Sequence, residues 1–189
     1  RWCTVTGVQT CALPISDVLS PPAAGAVRIE GRLGKALDLC INRRVLAQPI
    51  EPMIVPFREK KEEGLKDWRC EYWGKWFTSL ALADRYRPSR KTRAKMKEAV
   101  AALLETADAD GYIGTRPPEH RLKGWDVWGR KYVLLGLLAY YDRTGDTNAL
   151  LAAARHHDTL MAQTGVGKTN IADLGTHKGL AASSVLEPV

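Results

Sequence analysis

Two tryptophans, a carboxylate and an arginine lie close together in the sequence, at Trp125, Asp126, Trp128 and Arg130. Aromatic ring faces can stack on the C–H face of a sugar, and charged side chains can bond its hydroxyl groups. This head leads into the apolar run 132–141, which has no polar face and should be buried on every side. The pattern predicts a ligand site at the mouth of a helical core. The alternative is that both tryptophans only anchor a helix start to that core.

A second group of aromatic residues comes earlier in the chain, at Trp68, Trp73 and Trp76, and includes the carboxylate Glu71. Trp73 and Trp76 are three residues apart, which is more typical of the packed face of a helix than of a ligand site. Glycoside hydrolysis requires two carboxyl groups, one as the acid and one as the nucleophile or base. The carboxylates near predicted loop–helix junctions are Glu71, Asp126, Asp173 and Glu187. Each could equally be a helix cap, so spacing alone selects no catalytic pair.

Three other patterns have simpler structural explanations. Residues 162–169 fit a relaxed phosphate-loop pattern but follow a predicted helix rather than a strand, so their glycines are expected to end that helix. Residues 87–97 are basic but lack interleaved aromatics, which indicates a solvated helix face rather than a nucleic-acid surface. His156 and His157 are adjacent and point in different directions on a helix, so they make a poor metal pair.

The cysteines give no metal-binding pattern. Beyond residue 16 only Cys40 and Cys70 remain, and neither belongs to a CxxC motif or lies near a histidine. The sequence therefore contains no zinc site or disulfide framework of recognisable spacing. We expect two buried, unreactive thiols.

The composition is that of one globular core. The chain has 189 residues, of which 45% are hydrophobic and 26% charged, and its net charge is +7. No apolar run is long enough to cross a bilayer. A basic surface can attract nucleic acid or anionic polysaccharide, but charge alone identifies neither. We predict no nucleic-acid partner and no membrane partner.

Residues 1–16 differ from the rest of the chain. They show no sustained hydrophobic period, stop abruptly at Asp17 and resemble a translated sequencing-adapter junction. We exclude them from fold prediction as an artefact without fixed structure. Because the chain does not start with Met and Val189 falls within a predicted helix, we expect residues 17–189 to be the N-terminal part of a longer domain. No compartment is predicted, since any signal segment would have been removed.

The elements that must position the candidate residues are helices. Hydrophobic spacing and breaker residues predict helices over residues 34–47, from 73 to before Pro88, over 89–107, through 132–141, over 147–163 and from 180 onward. Residues 48–57, with three prolines, are expected to be an irregular packed segment, and residues 58–66 a solvated loop. Residues 108–124 are expected to form a turn and a long loop.

Helix pairs joined by short turns indicate the architecture. The helix 89–107 is amphipathic and suits an outer ring, whereas the run 132–141 suits an inner one. The sequence therefore predicts an all-α toroid of αα-hairpins, a partial (α/α)6 barrel with too few helices to close. The helix 147–163 is expected to bury Leu150, Leu151, Ala154, Leu160 and Met161.

Several short motifs occur in a family-like order over residues 27–189. They are Val27-Arg28-Ile29, Pro56-Phe57-Arg58, Tyr72-Trp73-Gly74-Lys75-Trp76, Asp110-Gly111-Tyr112-Ile113, Ala139-Tyr140-Tyr141-Asp142-Arg143-Thr144-Gly145 and Ser184-Val185-Leu186-Glu187-Pro188. In this order they resemble the N-terminal part of the catalytic domain of glycoside hydrolase family 127, the β-L-arabinofuranosidase-like proteins. Singly the motifs are weak, but together they are fairly specific.

The resemblance implies an (α/α)6 toroid with the sugar site at one mouth, and a carbohydrate substrate. It also implies that the zinc-bound cysteine nucleophile and the acid/base glutamate lie beyond Val189, so that residues 17–189 hold no cofactor themselves. We expect residues 17–189 alone to be inactive and marginally stable, because an open ring leaves apolar inner helices unburied. Where characterised members have a His-Glu-Leu-Tyr type motif, this chain has Trp125-Asp126-Val127-Trp128. Leu186-Glu187 stands where those members have a Gly-His pair. The sugar-contacting histidines of the family are thus not matched.

The resulting hypothesis is a glycoside hydrolase, β-L-arabinofuranosidase-like, that cleaves a terminal glycosidic bond in a glycan. The candidate sugar-binding residues are Glu71, Trp125, Asp126, Trp128, Arg130, His177 and Glu187. The alternatives are a non-catalytic toroid that binds glycan and a helical interaction module without sugar chemistry. If Trp125, Trp128 and Glu187 are scattered in the fold, the sugar interpretation fails.

Overall fold

The computed structural model describes residues 22–64 and 67–188. The prediction for residues 1–16 lies outside the described residues. Within the described ranges the chain is helical, and the only β-type pairing is an isolated bridge between Thr164 and Thr169. The predicted all-α class is therefore confirmed. No helix in these ranges has the length and apolar character needed to cross a membrane.

Seven α-helices follow one another in the described part of the chain. They are α1 (Gly31–Cys40), α2 (Glu51–Glu59), α3 (Tyr72–Tyr86), α4 (Arg90–Leu104), α5 (Asp126–Thr144), α6 (Thr147–Gln163) and α7 (Leu180–Ser183). A π-helical turn, Ile41–Val45, continues α1. Short 3-10 turns lie at Arg69–Glu71, Pro118–His120, Ile171–Asp173 and Ser184–Leu186. The predicted helices are all present, and most of their boundaries lie within about three residues of the predicted ones. The exceptions are α5, which begins at Asp126, before the predicted run 132–141, and α7, which has only 4 residues.

Local sequence explains where the paired helices begin and end. Ser89 caps α4, because its hydroxyl accepts the backbone N–H of Thr92 while the Thr92 hydroxyl accepts the N–H of Ser89. Gly145 ends α5 in the left-handed conformation, with φ of 71°. Asp146 then caps α6 by accepting the N–H of Asn148. The turns are therefore short, and α3 packs on α4 and α5 on α6 as antiparallel hairpins.

The prediction of an irregular segment over residues 48–57 is wrong, because Glu51–Glu59 is helical. Pro52 lies in the first turn, where a missing N–H costs nothing. Pro56 lies inside the helix and has no backbone N–H. The helix therefore lacks one hydrogen bond, the one that residue 56 would donate to the carbonyl of Pro52. Burial of Ile54 and Phe57 in the core compensates for this loss.

The centre of the molecule is α5, which packs against α3 on one side and α6 on the other. Two glycines allow α3 and α5 to approach closely. A Cβ on Gly136 of α5 would lie 2.5 Å from the six-membered ring of Trp73, and a Cβ on Gly74 of α3 would lie 2.2 Å from the carbonyl oxygen of Tyr132. The first turn of α3 therefore lies directly against the middle of α5.

The buried face of α6 differs from the predicted one. The residues it buries are Ala149, Ala153, His156, Thr159 and Leu160, so of the predicted set only Leu160 is buried. Leu150 is half-buried, while Ala154, Leu151 and Met161 are exposed, with 61% of Leu151 accessible. Small alanines face α5 because they permit close packing, a preference that hydrophobic spacing alone does not show.

Candidate functional site

The start of α5 is fixed against the turn that precedes α3. The Cys70 thiol donates to the carbonyl of Trp125 at 3.5 Å. A Cβ on Gly129 would lie 2.5 Å from the Cβ of Cys70, so the absence of a side chain at Gly129 lets the turn lie directly on α5. Burial, together with the nearby charge of Glu62, raises the pKa of Cys70, which keeps it a thiol. This contact places Glu71, the next residue, beside α5.

The same turn is held from the other side by Glu62. Its carboxylate accepts from the guanidinium of Arg69 at 2.9 Å and from the hydroxyl of Thr115 at 2.6 Å. Glu62 is buried, so the prediction of a fully solvated loop over residues 58–66 is wrong at this position. The physical reason is that both partners come from elsewhere in the chain and compensate the burial of the charge.

An aromatic surface is formed by Trp125, Trp128, Tyr132 and His177. The rings of Trp125 and Trp128 are 5.8 Å apart, and those of Trp128 and Tyr132 are 5.2 Å apart, both edge to face. The ring of His177, from the loop before α7, lies 5.6 Å from that of Trp125. The two tryptophans and Tyr132 are partly exposed, and His177 is exposed. The edge-to-face contacts hold the rings in place, and the parts of the rings that remain exposed are available to a ligand.

Glu71 and Lys75 fix the orientation of Trp128. The indole N–H of Trp128 donates to the carboxylate of Glu71, which also accepts from Lys75 at 2.8 Å. The Lys75 ammonium lies 5.6 Å from the Trp128 ring centre and 5.0 Å from that of Tyr132. Burial opposes the charge on Lys75, but the hydrogen bond and charge of Glu71 outweigh it and raise the pKa of Lys75. Lys75 therefore stays charged beside the rings.

A second ion pair also lies against the aromatic surface. Lys131 binds Glu187 at 2.5 Å, and its ammonium lies 5.2 Å from the Trp128 ring and 5.4 Å from the Tyr132 ring. The Lys131 side chain is nearly buried, whereas Glu187 is exposed. Trp128 and Tyr132 thus each have two ammonium groups nearby, and each ammonium is paired with a carboxylate.

Five of the predicted site residues are brought together here: Glu71, Trp125, Trp128, His177 and Glu187. Sequence reasoning missed Lys75, Lys131 and Tyr132. The i, i+4 spacing of Glu71 with Lys75 and of Trp128 with Tyr132 could have revealed two of them. Asp173 lies in the 3-10 turn Ile171–Asp173, where it is exposed.

Asp126 and Arg130 take a different place from the one expected. They are 2% and 1% exposed, and form an i, i+4 ion pair at 3.0 Å inside the protein. Asp126 also accepts the hydroxyl of Tyr112 at 2.6 Å and the N–H of Leu122 at 2.9 Å. Because buried charges need such partners, the pair anchors the start of α5 rather than opening onto the aromatic surface.

Tyr112 links this ion pair to the long loop over residues 108–124. Its ring lies between two guanidinium groups, with Arg121 3.9 Å and Arg130 4.7 Å from the ring centre. Burial, with the charge of Asp126, raises the pKa of Tyr112 well above its usual value, so the phenol remains a donor. These contacts attach the loop to the start of α5, next to the aromatic surface.

The remaining sequence patterns are structural. Residues 162–169 follow α6, and the Lys168 ammonium donates to the carbonyl of Met161 at 2.8 Å, which caps the helix instead of cradling phosphate. Cys40 is exposed, so the prediction that both thiols are buried is wrong for that residue, which lies on the outer face of α1. In residues 22–64 and 67–188 no three His, Cys, Asp or Glu side chains converge on a point where a metal could bind.

Comparison with known proteins gives the family. No curated protein sequence matches the chain. A family model described as "Beta-L-arabinofuranosidase, GH127 catalytic domain" matches residues 40–185, which covers α2 to α7 and all four residues of the aromatic surface, but not Glu187. The paired helices α3 with α4 and α5 with α6 accord with the α/α toroid of such a domain. The chain therefore belongs to glycoside hydrolase family 127, as a sequence of its catalytic domain.

Proposed function

We propose that the aromatic surface binds the sugar whose glycosidic bond this glycoside hydrolase domain acts on. The observation that carries the proposal is the position of Trp128. Its indole is partly exposed, its N–H is fixed by Glu71, and the ammonium groups of Lys75 and Lys131 lie 5.6 and 5.2 Å from its ring centre. A partly exposed ring in a fixed orientation, with charged groups converging beside it, is typical of a ligand site.

The chemistry of the surface suits a sugar. A sugar has one apolar C–H face, which can stack on an indole, and a rim of hydroxyl groups that are both donors and acceptors. The two ammonium groups can donate to those hydroxyls, and the Glu71 and Glu187 carboxylates can accept from them. Because each charge is already paired in the protein, a neutral ligand can bind without leaving an isolated charge behind.

The substrate proposed is a β-L-arabinofuranoside or a related terminal sugar of a glycan. The family match supports this class, while the residues at the surface differ from the family's His-Glu-Leu-Tyr motif. In this chain Trp125 and Trp128 occupy that place, so stacking takes over from histidine hydrogen bonds as the main contact. We assign to the aromatic surface the binding and orientation of the sugar, and not the cleavage of the glycosidic bond.

Trp128→Ala tests the proposal by isothermal titration calorimetry. We use methyl β-L-arabinofuranoside first, then a panel of methyl furanosides and pyranosides. Loss of the stacking face should weaken binding of the recognised sugar by about tenfold or more, since about 1.4 kcal/mol corresponds to tenfold.

The matched control is Trp76→Phe. Trp76 lies on α3 but donates to the carbonyl of Val45, away from the aromatic surface, so sugar affinity should not change. Circular dichroism verifies that both variants are folded. Equal affinity of Trp128→Ala and the parent protein, or no binding by the parent protein across the panel, would contradict the proposal.

A further inference from the structure

Two large aromatic side chains lie outside the aromatic surface and are strongly exposed. Trp68 is 44% exposed and Tyr72 is 47% exposed. The indole N–H of Trp68 donates to the hydroxyl of Tyr72 at 3.1 Å. This hydrogen bond holds the two rings in one relative arrangement, so the pair is fixed before any ligand arrives.

The pair is built on the same turn that orients Trp128. Trp68 directly precedes the 3-10 turn Arg69–Glu71, and Tyr72 directly follows it. The N–H of Glu71 donates to the carbonyl of Trp68 at 3.2 Å, which folds Trp68 back toward Glu71. Because Glu71 is the carboxylate that accepts from Trp128, the pair lies at the edge of the aromatic surface, on its α3 side.

The surroundings of the pair are charged, not apolar. Arg69, between the two rings in sequence, is exposed, and Lys75, one helical turn after Tyr72, is also exposed. An apolar protein partner would have to desolvate these groups, whereas a sugar can stack on the rings and bond the charges through its hydroxyls. The Tyr72 hydroxyl, which accepts from Trp68, can still donate to such a ligand.

We propose that Trp68 and Tyr72 form a second sugar subsite, which holds the sugar next to the one on the aromatic surface. The ligand class is then an oligosaccharide or glycan chain, not a single sugar with a small leaving group. This inference rests on the proposed function, because the second subsite is defined by its continuity with the first. It makes the length of the glycan a determinant of affinity.

The test compares two probes by calorimetry: methyl β-L-arabinofuranoside and the corresponding disaccharide of β-L-arabinofuranose. If the panel above shows that another sugar is recognised, its methyl glycoside and disaccharide are used. The parent protein should bind the disaccharide about tenfold more tightly than the single sugar. Trp68→Ala should remove most of that gain and leave affinity for the single sugar unchanged. Tyr72→Phe, which keeps the ring, should cause a smaller loss of about two- to threefold, again only for the disaccharide.

Leu82→Ala is the matched surface control, since Leu82 is an exposed side chain on the same helix as Tyr72. It should bind both probes like the parent protein. If Trp128→Ala weakens binding while Trp68→Ala and Tyr72→Phe leave disaccharide affinity unchanged, the second subsite is wrong and the proposed function stands. An equal effect of Trp68→Ala on both probes also overturns the inference, because Trp68 would then belong to the first subsite. If Trp128→Ala has no effect on either probe, the proposed function itself fails.

Discussion

At the scale of single residues, the ion pair of Asp126 and Arg130 decides whether α5 can start where it does. Asp126→Asn keeps the shape but removes the negative charge, which leaves the Arg130 guanidinium buried without its counter-ion. Breaking a buried pair in this way should lower the free energy of unfolding by about 3–5 kcal/mol. Urea denaturation followed by circular dichroism measures the change.

Glu51→Gln, in the exposed pair with Arg58, is the control and should have no measurable effect. A loss below about 1 kcal/mol for Asp126→Asn would contradict a buried structural role.

The same residues show what a sequence can predict about a site. Trp125, Trp128 and Glu71 were predicted because aromatic and acidic types next to a helix start are visible without coordinates. The burial of Asp126 was not, since it depends on Tyr112 of a distant loop. Lys131 was not chosen as a site residue because a lysine is usually solvated, and only the fold shows that its ammonium lies close to two rings.

At the scale of elements, the contact of α3 with α5 depends on Gly136. Alanine has the better helix propensity by about 1 kcal/mol, but its Cβ would lie 2.5 Å from the Trp73 ring. Gly136→Ala should therefore destabilise the protein by about 1–3 kcal/mol in urea denaturation. Trp73→Phe removes the atoms that clash, so the cost of Gly136→Ala should be smaller in that background. Additive effects in this double-mutant cycle would show that the close approach is not the cause.

Elements were predicted better than the way they pack. The helices followed from hydrophobic period and caps, as at Ser89 and Gly145. The prolines of α2 disfavour a helix, but the helix forms because burial of Phe57 in the core outweighs one missing hydrogen bond. The buried face of α6 could not be predicted either, since Ala149 and Ala153 are selected by the shape of α5 and not by hydropathy.

At the scale of the whole molecule, His156 couples stability to pH because it joins α6 to the loop beneath the aromatic surface. It is completely buried, and its Nδ1 accepts the N–H of Ile113 at 3.0 Å. Burial lowers the pKa of His156 well below its usual value, and the neighbouring charge of Arg130 lowers it further. His157 acts in the same direction, while Asp110 and the backbone at Gly111 oppose the shift. The folded protein therefore keeps this histidine neutral.

The sign of the pH dependence follows from that lowered pKa. Below about pH 6.5 the unfolded chain binds a proton at His156 that the folded chain does not, so stability is full above this pH and falls as the pH decreases. The free energy of unfolding should fall as the pH decreases below about 6.5, and this one group can contribute at most about 1.4 kcal/mol per pH unit. His156→Asn, whose amide oxygen can accept from Ile113, should be less stable at pH 7.5 but should lose most of this slope in urea denaturation. His177→Asn, at an exposed histidine, should keep the slope of the parent protein. An unchanged slope in His156→Asn would place the acid sensitivity elsewhere in the molecule.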